Sequence, residues 1–229
     1  MANKNEIQGD ERLENVENAL SKTELWIEEH QKPIWIAIAA IVLVVVIVFG
    51  VKKFYIEPRN EKANSEIFYA QKYFEKESYE AALNGDGNYL GFNDVIAQYG
   101  NTKAGKLANY YAGISSMKLG NFEEAIEYLK KFNGKDEILA PMALGAIGDC
   151  YMELDQMANA ADYYTKAANK SKNEFTAPMF LTKAGMTYEM MGDNAKALNC
   201  YKTLKADFPM SNEAFEISKN IANLEAKMK

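Results

Sequence analysis

Hydrophobic and polar residues follow two different patterns along this chain. From Ile34 to Val51 the residues are apolar and uncharged without a break, IWIAIAAIVLVVVIVFGV. These 18 residues, wound as a helix, span roughly 27 Å, close to the hydrocarbon thickness of a bilayer. A helix that is apolar all round does not suit the surface of a soluble domain. The flanks suit an interface: Trp26 and Trp35 lie at one end, Phe54 and Tyr55 at the other, and Lys32, Lys52 and Lys53 can reach the headgroups. Pro33 fits the first helical turn, where its missing N–H costs nothing. A cleaved signal peptide is disfavoured, because 33 residues precede the run and no A-x-A site follows it. The pattern predicts a permanent single-pass anchor over residues 33–56.

Upstream, residues 1–32 form an acidic tail. Leu13, Val16, Leu20 and Ile27 recur at helical steps, with Ala19 and Trp26 beside them, and Ser21-x-x-Glu24 has capping-box spacing. This predicts an amphipathic helix lying at a membrane surface, with a docking or dimerising helix as the alternative.

Beyond the span the chain repeats itself. YYAGISSMKLGNFEEAIEYLKKF at 110–132 is echoed at 143–167 and again at 181–204. Aligning Gly113, Gly148 and Gly185 gives periods of 35 and 37 residues. These units resemble tetratricopeptide repeats, whose period is about 34 residues. Gly148 and Tyr151 match helix A of that pattern, and Ala160, Tyr164 and Ala167 match helix B. In the last unit Gly185, Tyr188, Gly192, Ala197, Tyr201 and Pro209 match, with Leu204 where Ala is usual. The first clear unit keeps Gly113, Gly120 and Ala125 but has Ser116 and Leu129 in the aromatic places. Small residues let helices A and B approach, aromatics fill the gaps, and each hairpin must stack on the next to bury both faces.

A degenerate unit precedes these three. Residues 64–83 read as one helix striped by Phe68, Tyr69, Tyr73 and Phe74; a glycine-rich turn, LNGDGNYLG, follows; residues 91–100 read as a helix B. At the other end Ile217, Ile221, Leu224 and Met228 have helical spacing, and Ser211 is an N-cap candidate. The expected fold is therefore all-α, a single transmembrane helix followed by a helical solenoid. Its boundaries are a degenerate repeat at 57–105, repeats at 106–140, 141–177 and 178–210, and a capping helix at 211–229.

The chain is also similar, over nearly its whole length, to the YfgM-like family, ancillary subunits of the bacterial Sec translocon. The stretches TELWIEEHQKPIWIAIAAIVLV and FGVKKFYIEPRNEKANSEIFYAQKYF resemble that family's anchor and first helix. The resemblance implies an inner-membrane protein with its tail in the cytoplasm and its repeats in the periplasm. The implied partners are translocon subunits, periplasmic chaperones and exported polypeptides. Charge points the other way. Residues 1–51 carry Lys4, Arg12, Lys22 and Lys32, whereas Lys52, Lys53, Arg59 and Lys62 follow the span closely, so positive-inside counting favours a cytoplasmic C-terminal side. Both orientations stand open at this point.

Composition narrows the chemistry. The 229 residues carry 26 Lys+Arg against 32 Asp+Glu, a net charge of −6, which argues against nucleic acid as a partner. One histidine, His30, and two cysteines, Cys150 and Cys200, do not make a metal site or a disulfide scaffold. The cysteines sit beside core tyrosines and read as buried free thiols. Asn84 to Asn88 is a turn, since an EF-hand loop started there would place Tyr89 and Val95 where glycine and glutamate are required. No catalytic, cofactor or small-molecule site is expected, and no enzyme.

The resemblance puts helix A on the concave face, and the register gives its exposed positions. They are Leu107, Tyr110, Ile114, Met117 and Lys118; then Met142, Gly145, Asp149, Met152 and Glu153; then Met179, Thr182, Met186, Glu189 and Met190. Six of the chain's 11 methionines fall on these positions. Flexible, polarizable thioethers suit a surface that repacks against varied apolar segments. Met142 and Met179, near helix starts, read better as packing; Met152, Met186 and Met190 read better as groove. The binding set is Tyr110, Ile114, Met117, Asp149, Met152, Glu153, Met186, Glu189 and Met190. These residue types cannot form a carboxylate clamp of Lys and Asn. The expected function is a non-enzymatic adaptor linking exported chains to periplasmic chaperones. The alternative is a scaffold recruiting one folded partner in an envelope complex, with the repeats on either side of the membrane.

Overall fold

A computed structural model describes Trp26 and residues 30–228. The chain divides into two compact units, Met1–Glu57 and Pro58–Lys229. The amphipathic pattern of Leu13, Val16, Leu20 and Ile27 and the Ser21–Glu24 capping box lie outside the described residues.

In the first unit, α1 spans Gln31–Val51 and is followed by a π-helical turn, Lys52–Ile56. None of its described side chains is buried; Trp35 and Phe49 are each 67% exposed. Its apolar surface is uncovered, and this helix is long and apolar enough to cross a membrane. At its start the His30 ring stacks on Trp26, with centroids 4.7 Å apart.

The second unit is a row of helices: α2 (Glu57–Glu75), α3 (Tyr79–Asn84), α4 (Phe92–Tyr99), α5 (Lys103–Lys118), α6 (Phe122–Lys131), α7 (Leu139–Glu153), α8 (Met157–Lys170), α9 (Thr176–Met190), α10 (Asn194–Asp207), α11 (Asn212–Glu216) and α12 (Ser218–Lys227). No strand occurs among the described residues. Consecutive helices from α4 to α10 pack on one another, so each hairpin buries one face internally and the other against its neighbour.

Within the hairpins, glycine sets the approach. A methyl on Gly148 would lie 2.6 Å from the ring of Tyr164, and one on Gly113 would lie 2.5 Å from Leu129. Tyr201 closes on Gly185 in the same way. The three aligned glycines are thus where helix B rests on helix A, and leucine replaces the ring in the first of these hairpins.

The turns are more alike than the helices. Four residues with positive φ end a helix A: Glu77 (58°), Gly120 (82°), Asp155 (56°) and Gly192 (78°). At each, two backbone bonds close the helix. Glu77 N–H donates to Phe74 O and Ser78 N–H to Tyr73 O; Gly120 donates to Met117 O and Asn121 to Ser116 O. Asp155 donates to Met152 O and Gln156 to Tyr151 O; Gly192 donates to Glu189 O and Asp193 to Tyr188 O. This is one C-terminal capping motif used four times.

That motif corrects the single helix expected over residues 64–83. The chain turns at Glu77, ending α2 and starting α3. A loop then cuts helix B into α3 and α4. Asp86 braces it, accepting the Tyr73 hydroxyl at 2.8 Å and the N–H groups of Tyr89 and Asn88. The capping helix expected at 211–229 is likewise two helices, broken at Ile217. Ser211 caps the first, accepting from Ala214 N–H. The break lets Ala214, Ile217 and Leu224 all reach the core while Met228 stays exposed.

Candidate functional site

The A helices α5, α7 and α9 present the positions expected to bind. Two things hold α7 in register with α9. Asn173 caps the start of α9 through Oδ1, which accepts from Phe175 and Thr176 N–H, while its Nδ2 donates to Glu137 O at 2.8 Å. Further along, Lys183 of α9 reaches Asp149 of α7 at 2.7 Å, and the Tyr164 hydroxyl donates to the same carboxylate oxygen at 2.6 Å. Burial and the Asp149 hydrogen bond push the Tyr164 hydroxyl well above its ordinary pKa.

Between the C-terminal halves of α5 and α7 lies a recess of about 430 Å³, lined by Met117, Lys118, Phe122, Asp149, Met152 and Glu153. Four of the nine expected binding residues therefore meet in one place. Two thioethers and a phenyl ring supply its apolar lining, and two carboxylates and one ammonium an equal polar share. Asp149 serves it from a fixed position, because Lys183 and Tyr164 hold its carboxylate. Met152 is half-buried, its sulfur 4.0 Å from the Thr187 hydroxyl, so it joins the recess to the next repeat.

The other five fall elsewhere. Tyr110 and Ile114 are half-buried and pack with Phe132 and the core beneath α6. Burial raises the Tyr110 hydroxyl pKa. Met186 and Met190 are 51% and 63% exposed on α9, outside the recess. Glu189 accepts the Tyr201 hydroxyl at 3.3 Å, the counterpart of Asp149 and Tyr164 one repeat earlier. Gly145, expected to face the groove, is buried because the Phe180 ring of the next repeat occupies the space a side chain would need. Met142 and Met179 pack against the core. Phe122 was missed because it opens helix B, outside a helix A register.

Both cysteines are free and buried. Burial pushes the Cys150 thiol up to about 12 and raises Cys200 as well. Among the described residues no three His, Cys, Asp or Glu side chains are grouped to hold a metal ion. The groups assembled here offer apolar contact and charge.

One tetratricopeptide-repeat model matches residues 107–135 and 181–211, and another matches residues 143–169. A crystal structure of MamA protein is similar with a TM-score of 0.51 at 18% identity, covering 73% of this chain and 90% of that one. A Podosopora anserina putative kinesin light chain with nearly identical TPR-like repeats is similar with a TM-score of 0.50 at 12% identity, covering 74% of this chain and 97% of that one. At these identities the likeness is one of fold. No curated protein matches the chain. The chain carries tetratricopeptide repeats, stacked as an all-α solenoid of the kind that binds other proteins.

Proposed function

We propose that this protein is a membrane-anchored, non-enzymatic adaptor whose A-helix face holds apolar segments of other polypeptides. The observation that carries the reading is the recess between α5 and α7. It brings Met117, Phe122 and Met152 together with a charged rim, and Met186 and Met190 expose two further thioethers on α9. Such a surface takes varied apolar side chains and orients them weakly, which suits unfolded chains better than one folded partner. Anchoring through α1 raises the effective concentration of the array at the membrane, so a weak contact suffices there.

The resemblance of the anchor and first helix to the YfgM-like family supports a finer reading. In it the repeats lie in the periplasm beside the Sec translocon and pass exported chains to chaperones. Two experiments test these levels separately. The triple variant Met152→Glu, Met186→Glu, Met190→Glu should bind a reduced, alkylated model polypeptide at least 10-fold more weakly while its helical circular dichroism is retained. Equal affinity with the fold intact removes the groove reading. For orientation, Cys150→Ala and Cys200→Ala are combined with one cysteine added after Lys229, and intact cells receive a membrane-impermeant maleimide. Labelling in intact cells supports the translocon-side reading. Labelling only after lysis leaves a cytoplasm-facing scaffold.

A further inference from the structure

The starts of the A helices carry two more recesses, and they are opposite in charge. One, between α5 and α7, has a volume of about 630 Å³. Leu107, Phe132 and Leu139 supply its apolar lining, and Lys103, Lys106 and Lys135 its charge. None of the three lysines forms an ion pair among the described residues. The one acid there, Asp136, is already engaged: its Oδ1 accepts the N–H groups of Ile138 and Leu139, which holds its pKa below the ordinary value.

The other recess lies between the starts of α9 and α11 and measures about 310 Å³. Glu174 and Glu213 charge it, and no basic residue lines it. Neither carboxylate has an ion-pair partner among the described residues. Its apolar groups stand out into solvent, with Phe175 65% and Met210 80% exposed. The rim of this recess is therefore an acidic ridge with protruding apolar side chains. Two repeats earlier the same edge of the array is a basic hollow with an apolar floor.

We propose that these two surfaces bind each other between copies of this chain. The ridge of one copy, with Phe175, Met210, Glu174 and Glu213, seats in the hollow of the next, against Leu107, Phe132 and the three lysines. Burying Phe175 and Met210 supplies the apolar driving force, and the opposed charges fix which surface meets which. Both surfaces lie on one edge of the array, so two copies facing each other can engage ridge and hollow reciprocally across a two-fold axis.

The test uses the full chain in detergent micelles, followed by sedimentation velocity. Wild-type protein should form concentration-dependent oligomers. They should dissociate as salt rises from about 0.01 M to about 1 M, where the screening length falls from roughly 30 Å to 3 Å. Lys103→Glu with Lys106→Glu, and separately Glu174→Lys with Glu213→Lys, should each weaken association at least about 100-fold. Mixing the two variants sets native hollow against native ridge and reversed hollow against reversed ridge, and should restore a 1:1 complex. That rescue excludes misfolding as the cause of the loss. The proposal is overturned by a monomeric wild type at low salt, or by association that survives both reversals, which would place it in α1. A mixture that stays monomeric while both variants melt like wild type also overturns it. So does loss of binding to anionic lipid vesicles, with the oligomer unchanged, in the lysine variant.

Discussion

In the hairpins α7–α8 and α9–α10, a tyrosine of helix B lies on a glycine of helix A. The hairpin opened by α2 has no such pair. There Ala63, Ile67 and Ala70 of α2 join Phe92, Val95 and Tyr99 in one core. Rings fill the remaining space: Phe92 stacks on Tyr111 at 5.4 Å, and Phe74 meets Tyr111 edge-on at 5.0 Å. Helix B is cut in two by the Gly85–Gly91 loop. Both regions nevertheless end helix A with the same left-handed residue and the same pair of backbone bonds. The comparison separates what makes a hairpin stack from what makes it turn. Packing chemistry is exchangeable between glycine–tyrosine wedges and aromatic clusters; the turn is retained.

The largest expected effect tests the wedge. Gly148→Val or Gly185→Val forces a branched side chain into a ring that is itself buried, and each should cost about 3 kcal/mol. Amide hydrogen exchange should show lost protection in α7 to α10 with α2 to α4 nearly unaffected, because solenoid repeats are stabilised by near neighbours. Uniform loss along the array would mean that the two regions unfold as one.

Next comes the tie between repeats. Asp149→Ala removes the Lys183 and Tyr164 bonds together and should cost about 1–2 kcal/mol by chemical denaturation. Both charged side chains are 39% exposed, so most of that belongs to the tyrosine. A double-mutant cycle with Tyr164→Phe should give the larger coupling, and one with Lys183→Ala the smaller.

The turn itself gives paired effects of opposite sign. Glu77→Gly and Asp155→Gly relieve a left-handed backbone strained by a side chain, and each should stabilise by about 1 kcal/mol. Gly120→Ala and Gly192→Ala should each lose about as much, since no neighbouring atom crowds either position and only the backbone objects. A silent Glu77→Gly would break the equivalence drawn between the first hairpin and the rest.

The smallest effect belongs to the interrupting loop. The Tyr73 hydroxyl, then the N–H groups of Tyr89 and Asn88, hold the Asp86 carboxyl at about 2, below its usual 3.8. The folded value is the lower one. Its contribution is therefore whole above about pH 4 and disappears as pH falls through about 2. Asp86→Asn should flatten that stretch of the pH–stability curve, with no matching change in the α7–α10 hairpins.

Sequence reading reached the helix periods and the three close-approach glycines. Interhelical distance is set by the size of single residues at fixed spacing, and that is a local signal. It missed the turns at Glu77 and Asp155, because the residues there are not glycine and only the backbone reveals them. The recess was half legible. Met117, Asp149, Met152 and Glu153 follow from the helix A register, but Phe122 comes from a different helix. Met186 and Met190 share the register without sharing the recess. Gly145 looked like an open groove position because nothing local shows that Phe180, 35 residues later, fills it. The charged hollow and ridge were invisible for the same reason, being built from helix-start and loop residues of separate repeats.

Burial of the two thiols bears on how the chain matures. Burial keeps the Cys150 side chain in its thiol form at neutral pH, and only the thiolate attacks a disulfide or an oxidant. Folded protein is thereby resistant to oxidative crosslinking. A chain still unfolded has two ordinary cysteines, 50 residues apart, free to join. In an oxidising compartment the speed with which α7 to α10 assemble then decides between a native molecule and a wrongly stapled one.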